Sequence, residues 1–240
     1  MIAGISKAVT LYLAPVLALT ATVLEILAFL APTLVLSGRV DLVRVVPSVA
    51  LLMGGRGEGE GEVDGPSLFV GSLGACVKSN NDAQLNCTLA SVSPQYDLSP
   101  FPSNAPTTLL YAPSPSTPIF ISIALALNVV FLLTFTLISF REKMPGKMGK
   151  AFESPLMQSL SAGMGFLGFM TGLTAFMVLR MWFGKTVQDF NTSIQNQGSQ
   201  GPKLIAETSN AFTMVWVAHA FWAVPLMISL TKHHVKSGKA

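Results

Sequence analysis

Charge is what this sequence lacks most. Only 11% of its 240 residues are Asp, Glu, Lys or Arg, against about 25% in an ordinary soluble domain. Cysteine occurs twice, histidine three times. Two thiols without a nearby histidine or a second cysteine pair cannot complete a tetrahedral zinc site, so no metal centre is expected. Their ten-residue separation is not the C-x-x-C spacing of a redox-active pair. No Ser, Cys or Asp shares the side of the adjacent His233 and His234 in a nucleophile–base arrangement, so neither an enzyme nor a cofactor is expected.

What is there is hydrocarbon. Half of the residues are hydrophobic and the mean hydropathy is +0.55. Four long apolar runs stand out, at 8–37, 119–140, 156–182 and 204–230. Each exceeds the roughly 20 residues needed to cross about 30 Å of hydrocarbon. They define an integral membrane protein, an all-α bundle of four transmembrane helices. The first run is much longer than the roughly 7–15 apolar residues of a cleaved signal peptide, and reads as an uncleaved signal anchor.

The basic residues set the orientation. Arg141, Lys143, Lys147 and Lys150 crowd the connection 141–155, and Lys232, Lys236 and Lys239 the tail 231–240. The connection 183–203 holds only Lys185 and Lys203. Both termini and the loop 141–155 are therefore expected in the cytoplasm, with the segments 38–118 and 183–203 outside. The pI near 9.0 belongs to this asymmetry. It is not a nucleic-acid patch, because no aromatics interleave with the bases' would-be cations. The same four basic residues, Arg141, Lys143, Lys147 and Lys150, are placed to attract anionic lipids at the bilayer surface.

Two N-x-[ST] sequons, at Asn86 and Asn191, fall in the segments placed outside and are candidate glycosylation sites. In that oxidising setting Cys76 and Cys87 are expected to form one disulfide. It would staple the only part of the first outer loop that looks able to fold. On one side lies GGRGEGEGEVDG (54–65), acidic, glycine-rich and expected to be flexible. On the other lies 91–118, with seven prolines and an extended, turn-rich character. Gly71 and Gly74 suit a turn or a close backbone approach.

Four spans, cytoplasmic termini and a glycine–hydrophobic cluster leading into two cysteines resemble the claudin-like superfamily. Within it, LGAC followed by CTLASVSPQY is similar to the fungal PalI family, which includes pH-response and eisosome-associated four-span proteins. The matching positions are Leu73, Gly74, Cys76, Cys87, Pro94 and Tyr96. The resemblance implies a small β-containing extracellular cap from the first outer loop and a place in the plasma membrane. It also implies a role at the fungal cell cortex, in membrane domains, cell-wall integrity or an ambient-pH signalling complex. The chain lacks the tryptophans that animal claudins place before the first cysteine, which argues against junction-type pairing or a paracellular pore.

Inside the spans a few residues break the apolar pattern. GMGFLG (163–168) is formally G-x-G-x-x-G, but it follows a lysine-rich loop rather than a strand, which excludes a dinucleotide site. The small residues Gly165, Gly168 and Gly172 instead favour close helix packing, within the bundle or against a partner or second copy. Glu25 and His219 are expensive in lipid and should face the bundle interior. Arg180 or a neighbouring hydroxyl is the expected partner of Glu25, and Glu207 is expected at the interface where the fourth span starts. The expected function is that of a non-enzymatic organiser of plasma-membrane domains or support of a cortical signalling complex. Two alternatives are a channel or transporter subunit in which Glu25 and His219 form a proton relay, and an accessory subunit docking through its glycine face.

Overall fold

The computed structural model describes residues 9–48, 63–145 and 147–237. The glycine-rich insertion lies outside them up to residue 62. Among the described residues, four helices are long and apolar enough to cross a membrane. A π-helical turn, Val9–Leu13, leads into α1 (Ala14–Leu30). The long helices α2 (Ser116–Ser139), α4 (Pro155–Gln197) and α5 (Asn210–Ser237) follow, with the short α3 (Lys147–Glu153) before α4.

Local chemistry sets the helix ends. The Ala31–Pro32 peptide bond is cis and follows the last residue of α1, and Pro32, without an N–H, cannot continue that helix. Pro155 opens α4, where a missing N–H costs nothing. Ser154 caps it, its Oγ accepting from the Met157 N–H at 3.3 Å. Pro225 lies inside α5 and deprives that helix of one backbone hydrogen bond.

Five strands form one antiparallel sheet: β1 (Val43–Pro47), β2 (Ser67–Val70), β3 (Ala75–Lys78), β4 (Asn86–Cys87) and β5 (Leu204–Thr208). Their order is β4-β3-β2-β1-β5. The sheet corrects two expectations. It is not built from the first outer loop alone, because β5 comes from the segment before the last helix and pairs with β1 from Val43↔Thr208 to Pro47↔Leu204. Residues 204–208 are thus strand, not the start of the fourth span, and that helix begins at Asn210. Their apolar character serves alternation, Leu204 and Ala206 being buried on one side. The segment 183–203 is likewise helical as far as Gln197, a continuation of α4.

The chain divides into two compact units. One takes Phe120–Ala175 with the chain up to Ile26 and from Met214 onward, and is helical. Its core sets the small side chains Ala14, Ala18 and Ala21 of α1 with Phe131, Phe135, Ala218 and Trp222. Phe131 stacks with Trp222 at 5.3 Å between centroids and with Phe135 at 5.4 Å. The other unit, Leu27–Ile119 and Phe176–Thr213, contains the whole sheet.

In the sheet unit, Cys76 lies opposite Cys87 across β3 and β4, and the two form the disulfide, with Cα atoms 4.0 Å apart. The glycines of GSLG serve close approach. A Cβ on Gly71 would collide with the Ala31 carbonyl and Pro32, and one on Gly74 would come within 2.6 Å of Thr88 Oγ1 and 2.8 Å of Thr33 Cγ2. The Ser72 hydroxyl, between them, donates to the Phe29 carbonyl at 2.8 Å and so ties the β2–β3 turn to the last turn of α1.

A candidate polar site among the helices

The site begins with Glu25, the one acid on α1. It is 2% exposed, and a carboxyl in that position has no water to solvate it. Two other helices supply the substitutes. From α2, Asn128 (1% exposed) donates its Nδ2 to Glu25 Oε2 at 2.9 Å. From α5, His219 (5% exposed) places Nδ1 3.5 Å from Oε1. The Trp222 indole N–H is directed at the same carboxyl without making a full hydrogen bond.

The chemistry of these partners fixes part of the proton arrangement. His219 Nδ1 also lies 2.9 Å from the Val215 carbonyl oxygen. A carbonyl only accepts, so Nδ1 carries a hydrogen, which faces Val215 and Glu25 together. Glu25 thus accepts a hydrogen bond from α2 at one oxygen and lies beside the imidazole of α5 at the other. The arrangement can stabilise a carboxylate, and the close imidazole can exchange a proton with it.

The glycine run of α4 forms the fourth wall. A Cβ on Gly165 would lie 2.6 Å from Phe131, and one on Gly168 would overlap Asn128 Oδ1. One on Gly172 would come 3.3 Å from Ala124 Cβ and 3.5 Å from His219 Nε2. The three glycines thus admit α2 and α5, including both partners of Glu25. The Ser161 and Thr134 hydroxyls meet at 2.8 Å along the same α4–α2 seam. Phe169 flanks the His219 ring at 5.4 Å. Glu25, His219 and the glycines, separate features of the sequence, belong to one site.

Arg180 is not what meets Glu25: its guanidinium covers the Phe212 ring at 5.2 Å, and the amide of Asn128 takes its place. Asn128 itself escaped the sequence reading, because its span was read for charge and an amide has none. A single Asn in an otherwise apolar run was the available signal.

A second buried acid lies in the sheet unit. The Asp41 side chain has no exposed surface; the Arg44 guanidinium donates to its Oδ2 at 3.3 Å and to Ser209 Oγ at 2.6 Å. Glu207, on β5 rather than at a span's start, lies 3.7 Å from the same guanidinium. Burial pushes the Asp41 carboxyl above the usual aspartate range, while Ser209 and Arg44 pull it back.

The two sequon asparagines differ sharply. Asn86 is exposed on β4. Asn191, on α4, is part-buried and pairs with the backbone of Ala206 on β5 in both directions, each at 2.8 Å. Its amide thus occupies the edge of β5 as a neighbouring strand would, and cannot carry a glycan without giving up that contact.

Of the basic residues after α2, Lys143 donates to the Tyr12 hydroxyl at 3.3 Å. The side chains of Lys147 and Lys150 lie outside the described residues. No group of three His, Cys, Asp or Glu side chains among the described residues is placed to hold a metal ion. Compared with known proteins, the chain matches no family model and no curated protein.

Proposed function

We propose that this chain is a non-enzymatic multi-pass protein of the plasma membrane, organising membrane domains or supporting a cortical signalling complex such as one that senses ambient pH. The observation that carries the reading is the sheet. Segments on both sides of the central helices contribute to it, and a disulfide locks its edge, which makes a folded recognition surface out of loops that a simple channel would not need. The positions that resemble the PalI family support the same reading. Gly74 sits where no side chain fits, Cys76 and Cys87 are joined, and the Tyr96 hydroxyl is buried.

In this reading both termini face the cytoplasm and the sheet lies outside. Asn86 is the glycan acceptor, because Asn191 is engaged by β5. A fluorescent fusion expressed in a fungal plasma membrane tests the role. Discrete, persistent patches that disperse when Cys76 and Cys87 are replaced by Ser are the expected result. A uniform distribution unaffected by those substitutions would overturn it.

The second reading, a channel or transporter subunit, is favoured by the juxtaposition of Glu25 and His219. Proton flux in reconstituted vesicles that disappears with Glu25→Gln would establish it. Docking of a larger partner through Gly165, Gly168 and Gly172 is a third reading, less favoured because α2 and α5 pack against those glycines.

A further inference from the structure

A groove of about 490 Å³ runs between α1 and α2, lined by Tyr12, Val16, Leu19, Leu133, Leu137 and Phe140 among others. Its size falls in the range of about 300–1,000 Å³ typical of ligand pockets. From Leu11 to Leu19 on one wall and Leu132 to Phe140 on the other, it extends about 12 Å at about 1.5 Å per residue. The walls are almost wholly hydrocarbon, and the hydroxyl of Thr136 is turned onto the Leu132 carbonyl at 2.7 Å. Nothing along the groove recognises a polar ligand.

Its end is different. Tyr12 and Phe140, which line the groove, pack edge to face at 6.3 Å. Over them sits the Lys143 ammonium, 5.4 Å from the Tyr12 centroid and 5.6 Å from that of Phe140. It also donates to the Tyr12 hydroxyl. The two rings hold an exposed cation and a phenol at the mouth of an apolar trough, and Arg141 stands two residues before it. Among the described residues no carboxylate meets the Lys143 ammonium, whose charge is held over the two rings at the mouth of the groove.

We infer that this groove is a binding site for one anionic phospholipid, with an acyl chain along α1 and α2 and the headgroup on Lys143 and Tyr12. Charge complementarity selects this occupant. A sterol fits the trough but leaves the ammonium unused, and a neutral phospholipid already balances its phosphate with a cation of its own. The inference needs only that α1 and α2 span a bilayer, and is independent of the domain-organising role.

The test is native mass spectrometry of the full chain purified in mild detergent and offered phosphatidylserine or phosphatidylcholine. Wild type should retain phosphatidylserine in preference. Lys143→Gln should reduce that retention about fivefold, the effect of one cation near the membrane surface, and leave phosphatidylcholine unchanged. Leu133→Trp, at an exposed position, should fill the trough and reduce retention of both lipids. Equal retention of the two lipids by wild type, or unchanged phosphatidylserine retention in Lys143→Gln, would overturn the inference. Release of the chain from membranes by alkaline carbonate would instead contradict the spanning reading, and is measured separately.

Discussion

Glu25 and Asp41 are both buried carboxyl groups, and the protein treats them in opposite ways. Asp41 is met by a permanent cation three residues along its own strand segment, with Ser209 completing the contact. Glu25 is met by an amide from α2 and an imidazole from α5, neither permanently charged. The sheet acid is neutralised locally, whereas the helix acid draws its donors from two other helices. In hydrocarbon, where an unpaired polar group is costly, that makes Glu25 a pin between α1, α2 and α5. Asp41 instead secures the junction of β1 with the start of α5.

The comparison can be broken from either side. The largest effect is expected in the sheet unit from removing the disulfide: Cys76→Ser with Cys87→Ser should cost about 2–5 kcal/mol, read as a lower melting temperature. Arg44→Met leaves Asp41 buried without its cation. Breaking a fully buried pair costs about 3–5 kcal/mol, but the guanidinium is one-third exposed, and about 1–3 kcal/mol is expected here. Gly168→Ala drives a methyl into Asn128 and should cost about 1–3 kcal/mol by overpacking. A melting temperature unchanged in Gly168→Ala would show that the α4–α2 seam is loose. Asn128→Leu, which removes one interhelical hydrogen bond in lipid, should cost about 1–2 kcal/mol.

These tests also mark what was legible in advance. Four helices long and apolar enough to cross a membrane, the disulfide and the close-approach glycines followed from apolar length, cysteine count and residue size. The fifth strand did not, because LIAET (204–208) continues an apolar run, and hydropathy does not separate a short strand from a helix end. Its alternation of burial appears only in the paired strand, since Leu204, Ile205 and Ala206 are three apolar residues in a row. Arg180 was matched to Glu25 by depth along the helix axis, whereas rotation about that axis decides contact. The two-way pairing of Asn191 with Ala206 could not be read at all, since it depends on α4 continuing past the apolar run beside β5.

The smallest effect is one of pH. Because burial raises the Asp41 carboxyl above its unfolded value, the folded protein holds that proton more tightly than the unfolded chain. Its contribution is therefore most favourable at pH values below the ordinary aspartate range, and declines as pH rises through the folded value. Asp41→Asn removes this dependence. The stability of wild type relative to Asp41→Asn should fall across that window as pH rises, measured by thermal unfolding at stepped pH. A rise instead of a fall would mean that Arg44 outweighs burial.

The most direct test of the account concerns Glu25 itself. Purified chain reconstituted into vesicles with an imposed pH gradient should pass no more protons than vesicles without protein. Glu25→Gln, which keeps the acceptor for Asn128, should remain folded and give the same result. A proton flux in wild type that Glu25→Gln abolishes would contradict the account and make the polar cluster a conduit.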